Sequence, residues 1–292
     1  MLPNGTNFEW SSIPASAIPY PTLELNPITW EPPFEDTDYY LKRGFRVVSI
    51  EADIDLVKLN QARFSEYLTN GKLNIIYGAI SDTEESQITF YKNTKVSVWG
   101  TTVKSWAQRN SSLGADSIEV TVPVVRLSDL FKEYGIPYYL KIDIEGMDLV
   151  ALKTLLNFET RPKYISIESE KVEFSKLVEE FDVFEALGYN EFSLVEQSGL
   201  HKLKVPIGST EGELIDYSFD KGSSGLFGTD LQTEWVDREQ AIRRYKAIFR
   251  EYKLFGDNSI FKLRFLRVLR RIIQRVIRRP LPGWYDTHAR LK

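Results

Sequence analysis

Asp143 and Glu145 stand two residues apart at the end of an apolar run, where acids can serve a ligand site. They close the stretch Tyr138-Tyr139-Leu140-Lys141-Ile142-Asp143-Ile144-Glu145-Gly146, and a helical pattern follows. A short apolar run that stops at carboxylates and a glycine reads as a buried central strand of an α/β sheet. Such sheets bind their ligands just beyond the carboxyl ends of the strands. The other reading is that one of the two acids caps the helix beginning near Met147. Two further strand-like runs also end on acids, Phe45 to Ile50 on Glu51 and Lys163 to Ile167 on Glu168. An acid closing the second strand of a nucleotide-binding unit commonly accepts hydrogen bonds from ribose hydroxyls, which makes Glu51 a candidate for a nucleoside cofactor. Capping alone does not require three acids at one sheet edge.

The elements that must position these acids alternate. Asp36 to Arg43 reads as a short helix with acids first and bases last, stopped by Gly44. A β-branched strand ending in Glu51 follows, then a helix over Ile54 to Leu68 closed by Asn70-Gly71, and a strand over Leu73 to Ile80. Next comes a β-rich excursion with strands at Gln87 to Tyr91 and Ile118 to Val125, and between them a polar loop around Ser97-Val98-Trp99. Helices are expected over Leu127 to Tyr134, Asp148 to Leu156, Phe174 to Leu187 and Trp235 to Tyr252, with strands at Lys163 to Glu168 and Tyr189 to Val195. This alternation predicts a doubly wound α/β sheet over residues 36–234.

Two flanking segments read differently. Seven of the 13 prolines fall in the first 33 residues, so residues 1–35 are expected to be irregular. Residues 235–292 are expected to form helices and a tail packing on the domain. Phe261 to the end carries ten Lys/Arg against one acid, a balance of +9, so a total of −4 leaves −13 on residues 1–260. An acidic body argues against an extended nucleic-acid surface. Arg264 to Arg279 reads as a basic amphipathic helix. It either packs on its own domain or makes weak contact with an anionic membrane surface. Pro282 to His288 reads as a segment folding back on the core.

Composition removes several chemistries. Cysteine is absent, so disulfides, thiolate nucleophiles and cysteine metal sites are excluded. Two histidines are too few for a histidine-rich metal centre. No G-x-G-x-x-G follows an expected strand, which disfavours a nicotinamide dehydrogenase. No apolar run reaches the length of a membrane span and no signal peptide is evident, so a cytoplasmic location is expected.

The stretches Gly44 to Ala52 and Leu140 to Gly146 resemble signatures of FkbM-type methyltransferases. So do Gly78-Ala79-Ile80-Ser81-Asp82, the Ser97-Val98-Trp99 loop, Lys163 to Glu168 and Gly222-Ser223-Ser224-Gly225, all in the expected order. The resemblance implies a class I methyltransferase (Rossmann-like) sheet, S-adenosylmethionine as cofactor, and a small-molecule or glycan hydroxyl as acceptor. It implies that Glu51 holds the cofactor ribose, that Ala79, Ile80 and Ser81 flank the adenine with Asp82 nearby, and that Asp143 and Glu145 lie beside the methyl donor and acceptor. Either acid can serve as the base, and His201, near a plausible strand edge, is a further candidate. The family carries a strand and a glycine-rich turn before the helix at Asp36. Here the residues set against that turn are Ile28 to Glu35, without glycine and with Pro32-Pro33, so the first, central strand is expected to be degraded or absent. The alternative function is a methyltransferase-like binding or scaffold protein that has lost its cofactor.

Overall fold

The computed structural model describes residues 22–25, 35–96, 99–144, 146–170, 173–220, 222–255 and 283–292. Short β-branched or aromatic runs make its strands: β1 (Thr22–Leu25), β2 (Val47–Glu51), β3 (Leu73–Tyr77), β4 (Ala79–Ile80), β5 (Gln87–Asn93), β6 (Ser117–Val125), β7 (Tyr139–Ile142), β8 (Tyr164–Glu168), β9 (Glu191–Glu196) and β10 (Tyr285–Arg290). The helices are α1 (Glu35–Lys42), α2 (Ile54–Arg63), α3 (Ser65–Thr69), α4 (Lys104–Ser112), α5 (Leu127–Tyr134), α6 (Asp148–Thr154), α7 (Phe174–Ala186) and α8 (Arg238–Phe255). In α7 the buried Leu177, Phe181 and Phe184 fall at i, i+4 and i+7, the stripe that seats a helix on a sheet.

The described strands form a seven-stranded sheet in the order β3-β2-β1-β7-β8-β10-β9, and a three-stranded sheet β4-β6-β5. Every pairing from β3 to β8 in the large sheet is parallel, while β10 runs antiparallel to both β8 and β9. The doubly wound α/β sheet expected from the sequence is therefore observed. The order reverses beside β1, so a crevice for ligands is expected at its carboxyl end.

Three features depart from the expectation. The central strand is present: Thr22–Leu25 pairs in parallel with β2 on one side and β7 on the other. Its partners fix this position, because a four-residue strand between two buried neighbours needs little local signal of its own. Residues 26–34, which hold most of the proline-containing stretch set against the glycine-rich turn, lie outside the described residues. Second, the strand expected over Leu73 to Ile80 divides at Gly78, which has φ +147°; a Cβ there would sit 2.6 Å from the Pro123 carbonyl oxygen. Only glycine tolerates that conformation and that approach, so the chain leaves one sheet for the other at this residue. Third, the α4 helix fills a stretch for which no element was expected.

The tail does fold back on the core, as a strand. β10 inserts between β8 and β9, so the sheet draws strands from both segments outside residues 36–234. The basic stretch Arg264 to Arg279 lies outside the described residues. No helix among the described residues is long and apolar enough to cross a membrane.

Alternation along the strands gives the sheet two unlike faces. One face presents Val48, Ile50, Leu140, Ile142, Ile165, Ile167, Phe192 and Ala289, all in one apolar core with residues of α5 to α8. The other presents Ser49, Tyr139, Lys141, Tyr164, Ser166, Ser193 and His288, all buried. Tyr139 and Tyr164 pack there against Tyr40 of α1 and Phe227, with Tyr139 and Phe227 stacked at 4.3 Å. The buried Arg43–Asp230 pair, at 2.9 Å, holds the segment carrying Phe227 to the end of α1. Removing one member of such a pair costs about 3–5 kcal/mol.

Candidate active site

Registers place the strand-end acids in one row along the carboxyl edge. Ile50 and Ile142 both align with Leu25, and Ile142 aligns with Ile167. The next residue on β2, β7 and β8 is therefore Glu51, Asp143 and Glu168, respectively. Asp286 extends the row, because it is the register partner of Glu168 across β8 and β10.

Glu51 is held at the end of β2 by the start of α2. Its Oε1 accepts from the Asp53 backbone N–H at 2.6 Å, and its Oε2 is buried without a partner. Burial pushes its carboxyl well above the ordinary range, against the backbone donors of Asp53 and Ala52. Asp53 caps α2 through the Asp55 N–H and takes Lys92 at 2.8 Å, so Glu51 is backed by a fixed turn.

Asp143 is not a helix cap. The residue capping α6 is Met147, with no side-chain cap bond, and the Asp143 carboxylate accepts from Lys141 at 2.9 Å. Burial raises the Asp143 carboxyl, Lys141 opposes the shift, and Glu168 and Asp36 add to it. Lys141 also faces Asp36 at 3.6 Å, and Asp36 in turn accepts from the Ser224 N–H at 2.8 Å. The Gly222 to Gly225 loop is thereby tied to the first turn of α1 and to the centre of the sheet.

The turn after β7 is organised by Asp148, which accepts from the N–H groups of Ile144 and Gly146 at 3.0 and 3.1 Å. Burial is the first cause that raises its carboxyl to about 7, with Asp143 and Glu168 contributing against the two backbone donors. Gly146 has φ +100°, a value that suits glycine in so tight a turn. Glu145 lies outside the described residues.

The remaining expected residues are spread out. Ala79 and Ile80 are buried in apolar clusters and Ser81 is buried just after them, whereas Asp82 is exposed. His201 lies on a short 3-10 helix after β9 (Gln197–Lys202), three strand positions from β7. At about 4.8 Å per strand β9 itself is roughly 14 Å from the strand of Asp143, while Leu200 beside His201 lies against Gly225, next to the Ser224 that is bonded to Asp36. The histidine on the sheet itself is His288, in β10 and 1% exposed, with neither ring nitrogen hydrogen-bonded. Burial, with the charge of Lys141, pushes its imidazole down to about 3.

Sequence reasoning passed over Lys141, Asp148, Asp286 and His288. The alternation Asp286-x-His288-x-Arg290 is the period-two pattern of a strand with one polar face, and it was available as a signal. Among the described residues no group of three or more His, Cys, Asp or Glu is arranged to hold a metal.

An open sheet of this order, with one antiparallel strand near its edge and acids along the carboxyl ends, defines the class I methyltransferase architecture. Residues 24–191, more than half of the chain, match the sequence profile described as the Methyltransferase FkbM domain. The chain belongs to the FkbM methyltransferase family. The match begins at residue 24, within β1. No curated protein matches the sequence. Among solved structures, precorrin-6y C5,15-methyltransferase from Geobacter metallireducens GS-15 is similar over 94% of this chain and 80% of its own, at 6% identity and a TM-score of 0.35.

Proposed function

We propose that the protein is an S-adenosylmethionine-dependent O-methyltransferase acting on a hydroxyl of a small molecule or glycan. The observation carrying this reading is Glu51: a buried carboxyl at the end of β2, one oxygen fixed by a backbone N–H and the other orphaned. A vicinal diol supplies the donor that such an oxygen lacks, and an unmet buried acceptor costs about 1–3 kcal/mol until it is satisfied. The residues present therefore fit the ribose of the cofactor. Ser81 follows β4 of the small sheet, and the family resemblance assigns it, with Ala79 and Ile80, to the adenine side.

When bound, S-adenosylmethionine supplies an electrophilic methyl group on a sulfonium. What the chain must add is placement of the acceptor oxygen in line with that group, and a destination for the hydroxyl proton. Asp143 is suited to the second task, since its raised carboxyl is a stronger base than an exposed aspartate. Lys141 holds it in place. Glu145 shares the role by family resemblance, and His201, on the 3-10 helix after β9, is a further candidate.

A cofactor-free binding relative is favoured by one feature, the absence of glycine from residues 26–34. Equilibrium dialysis of the full chain against labelled S-adenosylmethionine separates the two. Saturable retention is expected, and retention no greater than for a heat-denatured control would sink the enzyme reading.

A further inference from the structure

The loop Gly222-Ser223-Ser224-Gly225 lies outside the residues that match the family, yet it is fixed over the centre of the sheet. The Ser224 N–H donates to the Asp36 carboxylate at 2.8 Å, in the first turn of α1. Just after the loop, Leu226 and Phe227 enter the aromatic cluster, with Phe227 stacked on Tyr139. Along β7, Lys141 follows Tyr139 on the same face, toward the carboxyl end. Asp36 faces that Lys141 at 3.6 Å. The chain from Phe227 back to Ser223 therefore runs toward the carboxyl end of β7, beside β1, where the strand order reverses.

Two buried polar groups stand at that end. The Ser223 side chain is 3% exposed, and its Oγ has no hydrogen-bond partner among the described residues. A hydroxyl can donate and accept, and leaving it buried and unmet costs about 1–3 kcal/mol. Asp36 is equally buried. Its Oδ1 takes the Ser224 N–H, and its Oδ2 forms an ion pair with Lys141 that is longer than a hydrogen bond. An unengaged hydroxyl one residue from a buried carboxylate suits a ligand end that carries both a carboxylate and an ammonium.

We propose that Ser223, with Asp36, binds the zwitterionic amino-acid end of S-adenosylmethionine. The proposal rests on the methyltransferase reading and adds a contact that Glu51 does not make. The Ser223 O–H donates to the carboxylate, and Asp36 accepts from the ammonium. Glu51 on β2 and Lys141 on β7 flank β1, with the two strands roughly 10 Å apart, so ribose and amino-acid contacts fall on the two sides of the crevice. Residues 26–34, which hold most of the stretch set against the family's glycine-rich turn, contain no glycine, the residue whose bare backbone lets such a turn approach a ligand closely. A loop contributed from beyond β9, with a side-chain donor, completes that end of the site by another route.

Titration calorimetry on the full chain tests this by comparing S-adenosylhomocysteine with 5′-methylthioadenosine, which keeps the adenine, ribose and sulfur and lacks the amino-acid end. The wild type is expected to bind S-adenosylhomocysteine about tenfold more tightly or better. Ser223→Ala is expected to weaken S-adenosylhomocysteine about tenfold, the worth of a hydrogen bond to a charged group, and to leave 5′-methylthioadenosine unchanged. Asp36→Asn is expected to act in the same way through the ammonium, and retained 5′-methylthioadenosine binding shows that a variant is folded. Equal binding of the two ligands by the wild type, an unchanged ratio in Ser223→Ala, or parallel loss of both ligands in the two variants would each overturn the proposal and leave the methyltransferase reading standing. Binding of neither ligand by the wild type removes both.

Discussion

The two faces of the large sheet are built from the same strands, and alternate residues give them opposite characters. Leu140 and Ile142 join the apolar core with α5 to α8, while Lys141 between them is buried among carboxylates on the other side. The apolar face is stabilised by area removed from water, a non-directional term that tolerates small changes of shape. The polar face depends on particular partners. Its aromatic half, around Tyr139, Tyr164 and Phe227, is closed by stacking, and its carboxyl half carries the acids. Buried charge is costly unless paired, so a fold that places it at the centre of its sheet gives up stability there.

The largest effect expected from breaking this contrast is at the adjacent pair Lys141 and Leu140. Lys141→Met is expected to cost about 3–5 kcal/mol near neutral pH, by stranding Asp143 and Asp36. Leu140→Ala is expected to cost about 2–5 kcal/mol through a cavity. Denaturant titration at neutral and acidic pH separates the causes. The Lys141→Met loss should shrink as the carboxyls take up protons, and the Leu140→Ala loss should not.

Two opposed pH dependences come next. Asp148, raised from 3.8 to about 7, holds its proton more tightly folded than unfolded. Its contribution is therefore present at low pH and is lost as pH rises from about 4 through 7. His288, lowered from 6.5 to about 3, works the other way. Its contribution is present above pH 6.5 and is lost as pH falls toward 3. Each proton contributes a slope of at most about 1.4 kcal/mol per pH unit. Asp148→Asn should steepen the rise of stability with pH in the overlap of these windows, and His288→Asn should flatten it. Stability curves of both variants that parallel the wild type would contradict the burial assigned to these groups.

Much of this was legible in the sequence because the apolar face writes the strands. Leu140 and Ile142, Ile165 and Ile167, and the Leu177-Phe181-Phe184 stripe identify β7, β8 and α7 without reference to anything distant. The carboxyl-edge acids were legible for the same reason, since a strand that ends on an acid shows where the edge lies. What escaped depends on neighbours far along the chain. β1 is a central strand because β2 and β7 flank it, and β10 is one because β8 and β9 leave a gap 89 residues after β9 ends, from Glu196 to Tyr285. His288 then joins the polar face of the sheet through a register that no local pattern specifies, while His201 lies on a 3-10 helix that follows the edge strand β9.

The smallest effect expected is at Ser166, whose hydroxyl meets the Tyr139 hydroxyl at 2.6 Å on the polar face. Ser166→Ala should cost about 1 kcal/mol by denaturant titration, the ordinary worth of one hydrogen bond. A much larger loss would mean that the polar row acts as one connected network.

The central claim is that the carboxyl end of the polar face holds S-adenosylmethionine through Glu51. Calorimetric titration of the wild type and Glu51→Gln with S-adenosylhomocysteine tests it most directly. The wild type should bind with one-to-one stoichiometry, and Glu51→Gln should bind about tenfold more weakly or worse while unfolding at the wild-type denaturant midpoint or above it. Equal affinity in the two proteins, or no binding by the wild type, would contradict the account.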